Sequence, residues 1–205
     1  MRLFVALQLS STVGITLSNL VKSLQPYARL NWLNPENMYI PLKYVGKWPS
    51  EEVDTVVTRL NTIKLPETEK TLHVPIAGLG FSPNSHRPRV FWVGVENTPI
   101  LRRLASLVDT TLQSLGIAPE VRPYTPHLTV ASIGSETPLD DLFYAIEELP
   151  SREFGVLTPG HFSLFQSGVV DDEPMHRKVA DFPLFKQVGG RQLYRKAGRS
   201  FRLAQ

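Results

Sequence analysis

The chain has 205 residues, a formal net charge of +3 and 42% hydrophobic residues, enough to bury a core in one or two compact domains. It contains no cysteine, which excludes disulfides, thiolate nucleophiles and zinc–thiolate sites. The apolar run at Arg2 to Leu9 is too short to span a membrane and lacks a signal-peptide layout, so a soluble cytoplasmic protein is expected.

In chain order, Arg2 to Leu9 reads as a buried strand. Ser10, Ser11 and Thr12 offer N-cap side chains, and Leu17, Leu20, Val21 and Leu24 fall at helical spacing, which predicts an amphipathic helix over 12–28 that Pro26 ends. Leu30 to Leu33 is extended, Pro35-Glu36-Asn37 a turn, and Met38 to Val45 a strand. Glu51 and Glu52 suit the positive end of a helix carried by Val53, Val56, Val57, Leu60 and Ile63. His73 to Phe81 is a strand interrupted by glycines, and Arg89 to Val95 a buried one. A helix through Leu104, Leu107 and Val108 follows, then a strand at His127 and a helix over 138–149 opened by Asp140 and Asp141. Strands near 153–158 and 161–167, a turn at Asp171-Asp172-Glu173-Pro174 and a short segment from Val179 to Phe185 complete the body. Residues 188–205 carry Arg191, Arg195, Lys196, Arg199 and Arg202 and no acid, leaving 17 basic against 19 acidic residues elsewhere. This tail reads as a flexible end that either touches RNA phosphates or is simply solvated.

The order of elements repeats. At an offset of 87, Arg89-Val-Phe-Trp-Val-Gly-Val95 lies on Arg2-Leu-Phe-Val-Ala-Leu-Gln8, and Leu104, Leu107 and Val108 lie on Leu17, Leu20 and Val21. At 88, Leu128, Val130, Ile133 and Gly134 lie on Ile40, Leu42, Val45 and Gly46. Two copies of strand–helix–strand–helix–strand, roughly 1–87 and 88–187, predict an α+β fold with two pseudo-symmetric lobes, each an antiparallel sheet with flanking helices. The strands at 39–45 and 127–133 would then turn their polar faces to a shared cleft. In the second, His127 and Thr129 alternate with core-facing Leu128 and Val130. This sets an imidazole, which moves protons near neutral pH, beside a hydroxyl. Taken alone, the same pair is also ordinary decoration of a strand face.

The ordered set of motifs resembles the 2H phosphoesterases, in particular the LigT-like RNA 2′,3′-cyclic phosphodiesterases, once called 2′-5′ RNA ligases. The matching pieces are Met1 to Ala6, Pro35 to Gly46, Gly78 to Phe81, Pro88 to Trp92, Pro126 to Thr129 and Phe162 to Ser167, spanning roughly 1–187 as one bilobal domain. The resemblance implies hydrolysis of 2′,3′-cyclic phosphate ends of RNA to 2′-phosphates, with no metal and no cofactor. It implies two histidines, one acting as base and one as acid, and two threonines holding phosphate oxygens. It also implies partners that are RNA ends or cyclic nucleotides, with no membrane; a monomer is expected.

Two departures matter. Tyr39 stands where the first motif has histidine and Pro41 where it has threonine. Ser132 stands where arginine often follows the second motif. A phenol with an ordinary pKa of about 10 is a poor base at neutral pH, and a proline inside a strand argues for an edge position or a bulge. His127, Thr129 and Tyr39 are therefore the candidate catalytic residues. Thr129, Lys43, Arg122 and Tyr124 are candidate substrate-binding residues, Lys43 because strict alternation puts it on the face of Tyr39. The plainer readings are a packed Tyr39, a solvated Lys43, and a Thr129 present for strand propensity. His73, His86, His161 and His176 show no ligand spacing and read as structural or exposed. Two functions follow: a cyclic phosphodiesterase working with a reduced set of groups, or a cleft that binds RNA or phosphorylated or cyclic nucleotides without turnover.

Overall fold

The computed structural model describes residues 1–66, 68–170 and 173–185. Among the described residues, nine strands form two antiparallel sheets. The first has the order β3 (Tyr39–Lys47), β1 (Arg2–Gln8), β8 (His161–Val170), β9 (Glu173–Pro183). The second has the order β2 (Asn31–Trp32), β6 (His127–Ser132), β5 (Val90–Val95), β4 (Val74–Ser82), β7 (Glu153–Leu157). Four helices accompany them: α1 (Ser11–Leu24), α2 (Val53–Leu60), α3 (Pro99–Gln113) and α4 (Asp140–Glu147). The α+β class and the two-sheet architecture are as expected. Among the described residues, no helix is long and apolar enough to cross a membrane. The basic segment 188–205 lies outside the described residues.

The helices start where the capping chemistry puts them. Ser10 Oγ accepts from the Val13 N–H at 3.4 Å, and Thr98 Oγ1 accepts from Leu101 N–H at 3.3 Å with Pro99 at the first turn. The first helix ends at Leu24 and passes into a 3-10 turn, Gln25–Tyr27, because Pro26 cannot continue the α ladder. Buried faces of both sheets and the inner stripes of α1 and α3 join in one core that includes Val5, Leu7, Leu17, Ile40, Phe91, Val93, Leu104 and Leu128.

The chain crosses between sheets. The helix α1 follows β1 of the first sheet but packs on β7 of the second; α3 follows β5 of the second but packs on β3 of the first. In the same way, β8 and β9 from late in the chain complete the first sheet, while β2 and β4 from early in the chain join the second. The strands that the 87–88 offset aligns hold equal places: β1 and β5 each carry one motif strand, β3 and β6, on one side. The last strand is longer than the sequence suggested. It begins at Glu173, within the expected turn, because the hairpin partner β8 offers a ladder all the way from His161↔Pro183 to Val170↔Glu173. Long-range pairing overrides weak local preference there.

Both motif strands bulge at the matching residue. In β3, Val5 pairs with Lys43 and Ala6 with Pro41, so Leu42 is extra. In β6, Phe91 pairs with Ala131 and Trp92 with Thr129, so Val130 is extra. Pro41 thus sits at a bulge on an edge strand, the two places that tolerate a residue without an N–H.

Candidate active site

The second motif puts His127 and Thr129 on the face of β6 opposite buried Leu128 and Val130, beside a tightly packed stretch of β4 and β5. Across the ladder, His127 pairs with Gly94 and Thr129 with Trp92. A Cβ on Gly94 would collide with the carbonyl oxygen of Ala77, and one on Gly80 would collide with the Trp92 indole ring. The indole lies close over Gly80, with Nε1 donating to Ser82 Oγ at 3.0 Å, and its ring centroid is 6.1 Å from that of His127. Gly94→Ala is therefore expected to destabilise the fold by about 1–3 kcal/mol, since the obstacle is backbone that cannot swing away. Urea unfolding against wild type checks this; a change below about 0.5 kcal/mol would contradict the close approach.

His127 is oriented by its own loop. Its Nδ1 is 2.9 Å from the Thr125 carbonyl oxygen. A carbonyl only accepts, so Nδ1 carries the proton and Nε2 is the nitrogen left for chemistry. The loop is in turn tied to the first motif. The Tyr124 hydroxyl donates to the Pro41 carbonyl at 3.0 Å, and Asn97 Nδ2 donates to the Tyr124 carbonyl at 2.7 Å. Strands β3 and β6 lie against each other at this seam.

On the first sheet, Tyr39 belongs to an aromatic cluster. Its ring centroid is 4.5 Å from Phe165, 5.8 Å from Phe4 and 5.2 Å from His176. Phe4 and Phe165 stack at 5.2 Å and are buried, with Ala6, beneath it. Burial, with a smaller contribution from the charge of Glu36, raises the Tyr39 pKa, so the phenol stays protonated and acts as a hydrogen-bond donor. Beside Tyr39 opens a cavity of about 1080 Å³ that Gln8, Asn34, Asn37, Met175 and His176 help to line; His127 and Thr129 are outside its lining.

The expected placement of Lys43 is corrected by this geometry. Lys43 does not share the face of Tyr39. The extra residue Leu42 turns Lys43 to the core side, where it is 6% exposed. Its Nζ is 2.6 Å from Asp109 Oδ1 on α3 and 2.7 Å from the Ala118 carbonyl. It holds a helix to the sheet and offers nothing to a phosphate. Tyr124 is half-buried with its hydroxyl committed to Pro41, and burial drives its pKa strongly upward. It fastens the seam. Arg122 is exposed in the loop before β6, where only its backbone N–H has a described partner, Glu120 Oε1 at 3.5 Å. The residue that sequence reasoning set aside is His176. Nothing in its local sequence marks it, because the β8–β9 hairpin brings it to Tyr39 from far along the chain.

Comparison with known proteins agrees with this arrangement. A family model described as LigT-like phosphoesterase matches residues 93–174. An Aeropyrum pernix protein named RNA 2′,3′-cyclic phosphodiesterase is 30% identical over 145 residues, which cover 70% of this chain and 80% of the relative. The chain belongs to the LigT-like phosphoesterase family. An Archaeoglobus fulgidus protein of the same name is 28% identical over 182 residues, 89% of this chain and 99% of the relative. The fold is likewise that of a solved Thermus thermophilus protein, TT0787, with a TM-score of 0.74 at 23% identity, covering 90% of this chain and 98% of that one. This LigT-like chain keeps the second motif's imidazole and hydroxyl and replaces both side chains of the first.

Proposed function

We propose that the protein hydrolyses 2′,3′-cyclic phosphate ends of RNA to 2′-phosphates, as one bilobal unit acting without a metal or cofactor. The observation that carries this reading is the His127 imidazole, fixed at Nδ1 by Thr125, with Nε2 left free on the face of β6 opposite Leu128 and Val130. In-line displacement at phosphorus needs a proton removed from water, a proton given to the departing 3′-oxygen, and donors for the charge that builds on the remaining oxygens. His127 handles one proton. Thr129, on the same strand face, and the protonated phenol of Tyr39 supply hydrogen bonds to phosphate oxygens. Exposed Arg122 attracts the RNA backbone near the loop. The family relatives carry this activity in their names.

The loss of histidine and threonine at Tyr39 and Pro41 favours a second reading, a cleft that binds the cyclic phosphate and does not turn it over. Incubation of 2′,3′-cyclic AMP with wild type and with Tyr39→His/Pro41→Thr separates the two. Release of 2′-AMP by wild type is expected, with a rise of about tenfold or more in the double variant if a standard pair is restored. Saturable binding without product in wild type, with turnover gained in the double variant, would establish the binding reading. No turnover by either folded protein would remove the cyclic phosphate as substrate.

A further inference from the structure

His176 is the described histidine whose environment its packing does not explain. Its ring lies edge-on to Phe4 at 4.9 Å and to Tyr39 at 5.2 Å. Its Nδ1 is enclosed and has no hydrogen-bond partner among the described residues. A phenylalanine would make the same edge-to-face contacts without stranding a nitrogen, so packing alone does not account for an imidazole there. Orphaned polar atoms of this kind call for an explanation, and a catalytic role is one of the few available. The ring also lines the cavity that Tyr39 borders, so solvent and small solutes reach it.

Resting on the phosphodiesterase reading above, we propose that His176 is the second proton-transfer group of the site, standing in from β9 for the imidazole that β3 lacks. It lies within a ring's width of Tyr39, the position from which the missing side chain would act. The roles divide by environment. The Thr125 carbonyl holds the proton on Nδ1 of His127 and leaves Nε2 to carry and deliver the second proton, which suits His127 as the acid. Burial lowers the pKa of His176 and keeps its ring neutral, which suits it as the base. In the step, the oxygen of water bonds to phosphorus as His176 takes its proton. The bond from phosphorus to the 3′-oxygen breaks as His127 Nε2 delivers a proton to that oxygen. The product is a 2′-phosphate with a free 3′-hydroxyl, and proton exchange with solvent resets both rings.

The test is steady-state hydrolysis of 2′,3′-cyclic AMP by wild type, His127→Asn, His176→Phe and His176→Ala, the last with and without added imidazole, each checked by thermal melting. We expect His176→Phe to melt at or above the wild-type temperature, because an unpaired buried nitrogen is removed, yet to lose about 10²-fold or more in kcat with KM within about threefold. Added imidazole should restore His176→Ala about tenfold or more through the open cavity, which a packing role would not allow. Turnover by His176→Phe within about threefold of wild type, while His127→Asn is inactive, would overturn the role of His176 and leave the phosphodiesterase reading standing. Loss in both His176 variants with no imidazole rescue would also overturn it, as a packing effect. An inactive wild type would remove the reading and this inference together.

Discussion

His127→Asn is expected to lower kcat for 2′,3′-cyclic phosphate hydrolysis by about 10²–10⁴-fold, the usual cost of one acid–base partner. KM should change little, because the phosphate contacts assigned to Thr129 and Tyr39 remain and the lost group acts on the proton in flight. The fold should tolerate the change. Among the described residues the only polar contact of the His127 ring is the Thr125 carbonyl two residues away, and the indole centroid is 6.1 Å off. A stability change within about 0.5 kcal/mol is therefore expected, and asparagine can still donate a hydrogen bond locally. Single-turnover assays with purified variant check the rate, and a melting curve checks the fold. Activity within threefold of wild type would mean that the His127 arrangement on β6 is not catalytic and that turnover runs through other groups.

The strands and helices were legible because each follows local chemistry. Alternation at Leu128 and Val130 gave the inner and outer faces of β6, helical spacing at Leu17, Leu20, Val21 and Leu24 gave α1, and Ser10 gave its start. Even the irregularity of β3 was written in the sequence, since Pro41 demands an edge or a bulge and has both. What the proline did not tell is the consequence one step further on. A single extra residue reverses the faces after it, so Lys43 was assigned to the cleft and is instead in the core. The hydrogen bond of Tyr124 is illegible for a different reason: its partner is a backbone carbonyl 83 positions away, and no spacing rule points to it. The proximity of His176 to Tyr39 is not legible in the sequence because it depends on β9 joining the sheet of β3 through the β8–β9 hairpin. Local periodicity reports which face a residue takes on its own strand, whereas the proposed site, drawn from β3, β6 and β9, depends on how distant strands are ordered.

The same bulge makes Asp109→Ala the substitution with the largest expected effect on stability. Lys43 has only 5% of its side chain exposed, and its described partners are Asp109 Oδ1 and the Ala118 carbonyl. Removing Asp109 leaves an ammonium in the core with one neutral acceptor, which costs about 3–5 kcal/mol. For a chain of this length that corresponds to a fall of roughly 6–20 °C in Tm. Lys43→Met should cost much less. The Asp109 carboxylate, 19% exposed, keeps the Glu120 N–H at 3.1 Å and Gln113 Nε2 at 2.8 Å, so its charge is not abandoned. The double variant Lys43→Met/Asp109→Leu should lie near wild type, because an apolar pair of similar size avoids the desolvation of both ions. Equal losses for the two single variants would show that the pair, not the stranded lysine, is what matters. Acid adds an independent readout. Burial alone would raise the Asp109 pKa, but hydrogen bonds from Lys43, Glu120 and Gln113 and the charge of Lys43 outweigh it and hold the carboxyl below its ordinary value. On acidification the unfolded chain therefore binds this proton first. The stability contributed by Asp109 is present in full above about pH 4 and is lost as the pH falls through the lower folded-state value. Wild type should steepen its loss of stability below pH 4 relative to the apolar double variant, and parallel curves for the two would place the acid-sensitive group elsewhere.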